Sequence, residues 1–587
     1  MTTGRTKSLL AVGLVAVLTG SVLAQNQTST ARLDGIQKRL TQIAQAYDKL
    51  PPRQQALLDG YSHLIHLSRV FNQVSPKLLA ARQAGKQISR REFAESIVGG
   101  DPNLVKVNDP STDLDFSGFD GLTQSETSSA MCGNQVVVGF NDSGSELQTF
   151  FSGPGGLSFS GAAVSSDRGM SFKDIGFMNP GSDFSNFIIG DPVLTCTNPS
   201  TFYYTQLFSF GDFSSPFTAV AVSKSTDGGN TWADPVAAVS KNATTFGTPG
   251  HFLDKSWSAI DPANPSRIFV SYTDFDSTLS SVTCGNQFRA AIEMVVSSDG
   301  GQTFGSPIVI DEQCGNNAVQ ASHIAVSSHG VAYIAWERFT STATELRVAS
   351  LTTAGTLTSS VLVDQRILGG DAFLSGEPGA QTEQDLQGEF RDLVALDLAV
   401  DHSGGPHDGT VYLVWDDGRN KSVPDIATVV SVNQNAPFIT GGAYFFTDIL
   451  LSRSIDGVHF TPASQINKDK QPVKGRFGHD HYQPAIAVDP FGEVGICWYD
   501  RRNDPRNFRI ERFCSVSSNG GAHWSETRIR GTGFAPIHRL DFLVNPAYLG
   551  DYDGLTSDFS GKSHGFLGAF EVMSSGMNPD VKAWTFR

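Results

Sequence analysis

A short turn motif recurs five times along this chain of 587 residues, each time with glycine or small polar residues followed by a bulky aromatic residue. Its aspartate can accept hydrogen bonds from backbone N–H groups, its glycine can adopt positive φ, and its aromatic residue can begin a return strand. The motif therefore predicts a repeat protein built from β-hairpins. The copies read SSDRGMSF (165–172), STDGGNTW (225–232), SSDGGQTF (297–304), SIDGVHF (454–460) and SSNGGAHW (517–524).

The motif resembles the Asp-box (BNR) repeat of the sialidase-like β-propellers. Its characteristic aspartate stands at Asp167, Asp227, Asp299 and Asp456, and Asn519 replaces it in the fifth copy. The fourth copy is one residue short. Since Asp boxes also occur in propellers that are not sialidases, the resemblance implies a structural role for these five residues.

A longer period lies beneath the motif, formed by an apolar strand that ends in polar or charged residues. Seven copies favour a mainly β fold, an Asp-box β-propeller of seven blades. Six blades remain the alternative, because the resemblance to sialidases implies six. The last unit is too short for four strands, so residues 104–108 are expected to complete it and remove the open edge. The copies are 136–142, 202–210, 268–276, 331–338, 411–419, 494–502 and 565–571.

Composition restricts the class of protein and its partners. With 59 glycines, 40 phenylalanines and 39% hydrophobic residues, the chain is typical of a turn-rich globular protein with a substantial core. Its formal net charge of −16 argues against nucleic acid or an anionic membrane as a partner.

The first residues predict export. Arg5 and Lys7 precede the apolar run 9–18, and small residues before Gln25 fit a cleavage site. Residues 1–24 therefore read as a signal peptide, with an uncleaved anchor as the alternative. No later segment reaches the roughly 18 to 20 apolar residues that span a bilayer. The mature protein is expected to be secreted or periplasmic.

Six cysteines fit an oxidising compartment, and their positions suggest three disulfides. One pair falls on the second and third strands of one blade, one flanks the third turn, and one precedes equivalent strands of adjacent blades. No cysteine spacing resembles a zinc site, and no EF-hand spacing is present, so neither a metal nor another cofactor is expected. The pairs are Cys132 with Cys196, Cys284 with Cys314, and Cys497 with Cys514.

Residues 25–100 have a different pattern. Apolar residues at three-and-four spacing from Leu33 to Leu50 predict an amphipathic helix that ends at Pro51-Pro52. A second helix and a third, capped by Ser89, follow. This helical module is expected to pack on the propeller; alternatively it forms oligomers or binds a protein partner. The propeller is expected to occupy residues 101–587.

Polar residues are predicted to converge on one face of the propeller. In a four-stranded blade the first strand begins, and the second ends, on the same face, and the Asp-box turns lie on the opposite face. Because charged residues of both signs recur at these strand ends, the mouth of the central channel is the expected site. Each could instead be a turn residue or a salt-bridge partner. The candidates for substrate binding are Asp191, Arg338, Arg391, Asp392, Arg419, His481, Asp500, Arg501, Arg502 and Asp551.

The resemblance to sialidases implies a particular chemistry. That family binds the substrate carboxylate with three arginines and uses a tyrosine nucleophile, activated by a glutamate, with an aspartate as acid/base. By position, Tyr482 and Tyr552 are candidate nucleophiles, Glu389 a candidate partner and Asp254 a candidate acid/base. However, the family's Phe/Tyr-Arg-Ile-Pro motif is missing.

Three functions follow from this pattern. The first is a secreted sialidase-like glycoside hydrolase that acts on terminal acidic sugars of a glycan. The second is a non-catalytic propeller that binds a glycan or a protein. The third is a hydrolase of neutral glycans that uses two carboxyl groups. Three converging arginines would favour the first, two facing carboxyl groups the third, and neither arrangement the second.

Overall fold

The computed structural model describes most of the chain from Leu104 onward. The signal peptide and the helical module predicted for residues 1–100 lie outside the described residues. The described ranges are 104–110, 114–116, 119–121, 123–152, 155–211, 215–243, 249–368, 370–371, 384–386, 390–392, 396–424, 443–469, 478–505, 507–534, 544, 550–574 and 578–587.

The described chain is built almost entirely of β-strands, with one α-helix. The first strands are β1 (Leu104–Lys106), β2 (Leu114–Phe116), β3 (Phe119–Gly121), β4 (Gln124–Cys132), β5 (Gln135–Asp142), β6 (Leu157–Ser158), β7 (Ser160–Ser165), β8 (Lys173–Phe177), β9 (Phe187–Asn198), β10 (Thr201–Phe210), β11 (Phe217–Ser225) and β12 (Val236–Asn242). The helix α1 (Ser143–Ser152) lies between β5 and β6. Among the described residues, no helix is long and apolar enough to cross a membrane.

The next strands are β13 (His251–Asp261), β14 (Asn264–Asp276), β15 (Arg289–Ser297), β16 (Ile308–Cys314), β17 (Ala318–Val326), β18 (Ala332–Phe339), β19 (Thr344–Leu351), β20 (Val361–Arg366), β21 (Gly370–Asp371), β22 (Gln384–Leu386), β23 (Phe390–Asp392) and β24 (Leu396–Val400). The last are β25 (Val411–Pro424), β26 (Ala443–Ser454), β27 (Ser464–Gln465), β28 (His481–Val488), β29 (Val494–Asp500), β30 (Ile510–Ser517), β31 (Ser525–Phe534), β32 (Gly554–Ser557), β33 (Phe566–Ser574) and β34 (Asn578–Phe586).

These strands form seven antiparallel blades, which confirms the propeller and excludes the six-bladed alternative. Blade 1 is β4-β5-β7-β8, blade 2 is β9 to β12, blade 3 is β13 to β16 and blade 4 is β17 to β20. Blade 5 is β24 to β27 with β21 added, and blade 6 is β28 to β31. In blade 7, β1 pairs with β34 as the fourth strand beside β33 and β32, so the start of the propeller completes its last blade as expected.

Apolar faces of neighbouring blades hold the ring together. Trp336, Trp415 and Trp498 occupy equivalent places in the second strands of blades 4, 5 and 6, and all three are fully buried. One core cluster joins Ile449 of blade 5 with Ile486 and Trp498 of blade 6. The polar edge of the indole also has a hydrogen-bond partner in Trp498, where Nε1 donates to Asp500 at 2.8 Å.

The strand order fixes two faces. His251 at the start of β13 pairs with Asp276 at the end of β14, so both lie on what we call the upper face. Ser297 at the end of β15 pairs with Ile268 near the start of β14, and the turn after it therefore lies on the lower face. Polar strand ends and recurring turns are thus on opposite sides of the disc.

The five recurring turns share one hydrogen-bond pattern. In the third turn, Asp299 accepts backbone N–H groups of Gln302 at 3.0 Å and Thr303 at 2.9 Å, and Ser297 donates its hydroxyl to the same carboxylate. These bonds, the hydroxyl of Thr303 first, lower the pKa of Asp299 to about 2. Equivalent contacts surround the corresponding residues of the other turns, namely Asp167, Asp227, Asp456 and Asn519.

The three expected disulfides are present. Cys132 and Cys196 join blades 1 and 2, and Cys284 and Cys314 lie on either side of the third turn. Cys497 and Cys514 are directly paired residues of β29 and β30. Only the first of the three crosses between blades, and it closes the longest segment, with a sequence separation of 64.

Candidate functional site

Five side chains from four blades meet at the propeller axis on the upper face. We call them the axial cluster: Glu126, Asp191, Asp254, Lys255 and Asp551. All five lie at the starts of first strands or just before them, and all are buried. Four carboxyl groups around one ammonium group give the cluster an excess of negative charge. Asp191, Asp254 and Asp551 were predicted site residues, and the structure brings them together.

An unusual backbone conformation shapes these strands. At equivalent points in five first strands, a residue other than glycine adopts positive φ: Glu126 (50°), Asp191 (55°), Lys255 (47°), Ala321 (60°) and Gln483 (52°). A shift in strand register accompanies each of them. Left-handed conformations of this kind are costly and cluster at functional sites. Three of the five residues belong to the axial cluster.

Lys255 is the centre of the cluster. Its Nζ lies 3.5 Å from Oε1 of Glu126, 3.7 Å from Oδ2 of Asp191 and in close contact with Oδ2 of Asp551. Burial alone would lower the pKa of Lys255, but Asp191, Asp551, Glu126 and Asp254 raise it well above its usual range. The lysine is therefore a permanent positive charge in the middle of the site.

Two axial carboxyl groups have strongly raised affinities for a proton. Burial raises the pKa of Asp254 to about 6 against the opposing effect of Lys255, and the charge of Asp551 adds to the rise. Burial likewise raises the pKa of Asp191 to about 6, again opposed by Lys255. Both groups can therefore hold or release a proton near neutral pH.

Two neutral amide side chains donate hydrogen bonds within the site, and some buried oxygen atoms form no hydrogen bond. Nε2 of Gln320 donates to Oδ2 of Asp254 at 3.0 Å, and Nε2 of Gln483 donates to the carbonyl of Gly550 at 2.7 Å. Oδ1 of Asp254, Oδ2 of Asp191 and Oε1 of Gln483 are buried and form no hydrogen bond. Buried acceptors are normally satisfied, so these three oxygens could accept from water or from hydroxyl groups of a ligand.

The channel continues towards the lower face as a cavity of about 200 Å³. The first strand of every blade contributes to its wall, mostly with small apolar residues. None of the axial carboxyl groups lines this cavity. Typical wall residues are Ala130, Leu194, Ala259, Ala325, Ala399, Ala487 and Leu555.

The two candidate tyrosines are held as structural groups. Tyr552 is buried beside the axial cluster and donates its hydroxyl to the carbonyl of Pro192 at 3.1 Å. Burial, reinforced by Glu126, raises its pKa well above the usual range, which opposes nucleophilic attack. Tyr482 is buried against Tyr499 with ring centroids 5.6 Å apart, and Arg501 lies over its face.

The structure does not bring the described candidate arginines together. Arg338 binds Asp311 at 2.7 Å, Arg419 binds Asp364 and Asp417, Arg501 lies 3.4 Å from Asp480, and Arg502 binds Asp500 and Glu526. These partners lie on nearby strands and loops outside the axial cluster. Arg338 and Arg419 are paired with carboxylates of the preceding blades, whereas Arg501 and Arg502 are paired with carboxylates of their own blade.

Three further candidates cannot be placed by side chain. Glu389 lies outside the described residues. Arg391 and Asp392 belong to β23, of which the structure describes the backbone, paired with β22. The sequence analysis did not single out Glu126, which stands alone in a run of serine and threonine, or Gln320, which carries no charge. Only equivalence with Asp191 in the next first strand could have indicated Glu126.

A second polar group, the blade 6 cluster, consists of Asp448, Asp469, His481, Asp500 and Arg502. Nε2 of His481 lies 2.9 Å from Oδ1 of Asp469 and 3.5 Å from Oδ2 of Asp500. Burial alone would lower the pKa of His481, but these charges, Asp500 first and then Asp469 and Asp448, raise it to about 10. Two candidate binding residues, His481 and Asp500, thus form an ion network with a third, Arg502.

Two groups of described residues have the composition of a metal site. Ligand atoms of Asp469, His481 and Asp500 lie within 4.8 Å of one another, but Nη2 of Arg502 already binds Oδ2 of Asp500 at 2.6 Å. On the lower face the second group is Asp489 with Glu493 and His564. There, Oδ1 of Asp489 accepts the backbone N–H of Glu493 at 2.9 Å. A metal ion would therefore have to displace existing partners in the first group.

Comparison with known proteins gives matches among solved structures. No family model matches the sequence, and no curated protein matches it. An α-L-arabinanase of Penicillium chrysogenum solved with arabinobiose is 10% identical over 79% of this chain and 93% of that chain, with a TM-score of 0.39. An α-L-arabinofuranosidase of Fusarium graminearum is 11% identical over 83% and 97%, with a TM-score of 0.40.

A sialidase of Trypanosoma rangeli is also among the matches, with 8% identity over 73% of this chain and 57% of that chain and a TM-score of 0.34. Identities this low concern the fold alone. The expected resemblance to sialidase-like propellers is confirmed at that level, since this chain itself forms a ring of four-stranded antiparallel blades.

Proposed function

We propose that this protein is a glycoside hydrolase whose axial cluster supplies the carboxyl groups that cleave the glycosidic bond. One observation carries the proposal: Asp254 and Asp191 are buried acids with pKa values raised to about 6, next to the charged Lys255 and further carboxyl groups. Glycosidases need one carboxyl group that donates a proton and another that acts as nucleophile or base.

The geometry allows these roles to be assigned. Asp254 is the proposed acid, because its Oδ1 forms no hydrogen bond while Gln320 holds its Oδ2. Asp551, in close contact with Lys255, is the proposed nucleophile or base. Carboxyl oxygens of Glu126 and Asp191 both lie within 3.7 Å of the same nitrogen atom.

We propose a neutral sugar rather than an acidic one. Four carboxyl groups against one lysine repel an anionic substrate. None of the arginines whose side chains the structure describes contacts the axial cluster. The oxygens of Asp254 and Gln483 that form no hydrogen bond instead fit the hydroxyl groups of a sugar, which are hydrogen-bond donors.

The test is hydrolysis of fluorogenic glycosides of neutral sugars and of sialic acid by the full chain. Asp254→Asn is expected to lower kcat by about 10²- to 10⁴-fold, the range that general acid catalysis supplies. Asp299→Asn, on the lower face, is the control and should leave kcat unchanged. Activity should fall as the pH rises above about 6, because Asp254 then loses its proton.

Two outcomes would overturn this assignment. Cleavage of the sialic acid conjugate alone would return the protein to the sialidase hypothesis. Neutral-sugar hydrolysis that survives Asp254→Asn would remove the proposed acid.

A second function, binding without catalysis, is favoured by the complete burial of Asp254 and Asp551. In that case the folded protein would bind glycans on an array without hydrolysing any of them. Asp254→Asn would then leave binding in place.

We also propose that the protein works outside the cytoplasm, as a secreted or periplasmic enzyme with residues 25–100 as a separate helical module. Its three disulfides support this location, since disulfides persist in oxidising compartments. Sequencing the N-terminus of the exported protein tests the cleavage after Ala24; a start at Met1 would contradict it.

A further inference from the structure

Lys255 is the one described cation in contact with the axial carboxyl groups, and its side chain is 4% exposed. It extends from blade 3 to residues of blades 1, 2 and 7. A surface ion pair would connect two residues at most, whereas this ammonium group lies between three carboxyl groups. Its backbone adopts the left-handed region at φ 47°, which sets the direction in which the side chain leaves the strand.

We propose that Lys255 is the positioning residue of this site, and that its ammonium group decides which axial carboxyl group stays charged and which keeps its proton. The inference rests on the proposed function. Lys255 contacts Asp551 most closely, and it contacts Glu126 and Asp191 at 3.5 and 3.7 Å. The contact with Asp551 stabilises the charged form of that carboxylate.

The surroundings of Asp254 differ from those of Asp551. It is the sequence neighbour of Lys255, and its Oδ2 accepts a hydrogen bond from the uncharged amide of Gln320. The charged groups that face Asp254 are Lys255, Asp551, Glu126 and Asp191. Three of these four are acidic, and together with burial they outweigh the lysine, so the pKa of Asp254 is raised to about 6. The lysine contact at Asp551 and the amide contact at Asp254 give the two carboxyl groups different surroundings, as the two roles of a glycosidase require.

The test measures protonation directly and does not depend on a substrate. The infrared absorption of protonated carboxylic acids is titrated in the full chain, and the band lost in Asp254→Asn identifies Asp254. In Lys255→Met the midpoint of this band should move upward by about one to three pH units, because a nearby opposite charge has been removed. Lys255→Arg keeps the charge and should move it much less.

Lys241→Met is the matched control. Lys241 also binds two carboxylates, Asp274 at 2.7 Å and Glu293 at 2.6 Å, but it lies on the outermost strand of blade 2. Lys241→Met should leave the Asp254 band unchanged. If Lys255→Met does not fold, the uncharged and polar Lys255→Gln takes its place, and Asp551→Asn is measured beside it. Removing the charge of Asp551 should lower the midpoint of the Asp254 band, since that charge raises its pKa.

The outcomes separate this inference from the proposed function. A midpoint that moves in Lys255→Met, in a protein that cleaves no glycoside, supports the role of Lys255 and removes the proposed hydrolase. Glycoside cleavage with an unmoved midpoint and an unmoved pH profile of kcat in Lys255→Met overturns the role of Lys255 alone. An Asp254 band that is absent at pH 5 in the wild type also overturns it.

Discussion

The protonation of Asp254 makes the stability of the whole protein depend on pH. Its pKa is about 6 in the folded state and close to 3.8 in the unfolded chain. The folded state therefore binds the proton more tightly, and the free energy of unfolding falls as the pH rises from about 4 to about 6. Asp254→Asn cannot ionise, so relative to wild type it should gain about 2 to 3 kcal/mol between pH 4.5 and pH 7.5.

Urea unfolding at the two pH values measures this gain. Asp299→Asn is the control. The pKa of Asp299 is lowered to about 2, so its contribution to the free energy of unfolding depends on pH with the opposite sign and is lost only as the pH falls from about 4 to about 2. Between pH 4.5 and pH 7.5 its effect should stay constant. An equal effect of Asp254→Asn at both pH values would show that this carboxyl group is ionised throughout.

At the same scale, the sequence predicts the axial acids better than the arginines. Asp191, Asp254 and Asp551 precede or begin first strands, and strand direction alone places such residues at the axis. Arg338 and Arg419 also stand on the expected face, but their binding partners Asp311 and Asp364 belong to fourth strands of the preceding blades. That pairing depends on the rotation between blades, which no local pattern records.

The left-handed residue in five of the first strands is a property of the strand backbone rather than of a particular side chain. Ala321 allows the backbone conformation to be tested by itself. It adopts φ 60° and is buried, and its methyl group takes part in no polar contact. Ala321→Gly should stabilise the protein by about 0.5 to 1 kcal/mol, since glycine adopts this conformation without steric cost. Ala325→Gly, in the same strand but without positive φ, should destabilise it by a similar amount.

Thermal and urea unfolding of the two alanine variants provide the comparison. A loss of stability in both would mean that the bulge is not strained and that the left-handed residues carry no stored energy. The seven second strands were predictable because each contains an apolar segment that ends in polar or charged residues, as in β5, β14 and β29. The bulges were not, since the residues that adopt them share no type: two acids, a lysine, an alanine and a glutamine.

Closure of the ring depends on a few residues at the start of the described chain. Asn108 is buried at the seam: its Nδ2 donates to Gln124 at 3.0 Å and to Asp580 at 2.9 Å, and its Oδ1 accepts the backbone N–H of Val581 at 2.9 Å. It therefore ties β1, blade 1 and β34 together. Such closure removes the free edge that β34 would otherwise present.

Asn108→Ala tests whether this seam is where the propeller opens first. Loss of three buried hydrogen bonds should lower the free energy of unfolding by about 2 to 4 kcal/mol. Because only blade 7 takes its fourth strand from a distant part of the chain, amide hydrogen exchange should accelerate in β33 and β34 and stay slow in β15 of blade 3. Asn230→Ala, in an exposed turn, should leave all three strands unchanged. Faster exchange spread evenly over blades 3 and 7 would instead show that the ring unfolds as one unit, with no weak seam.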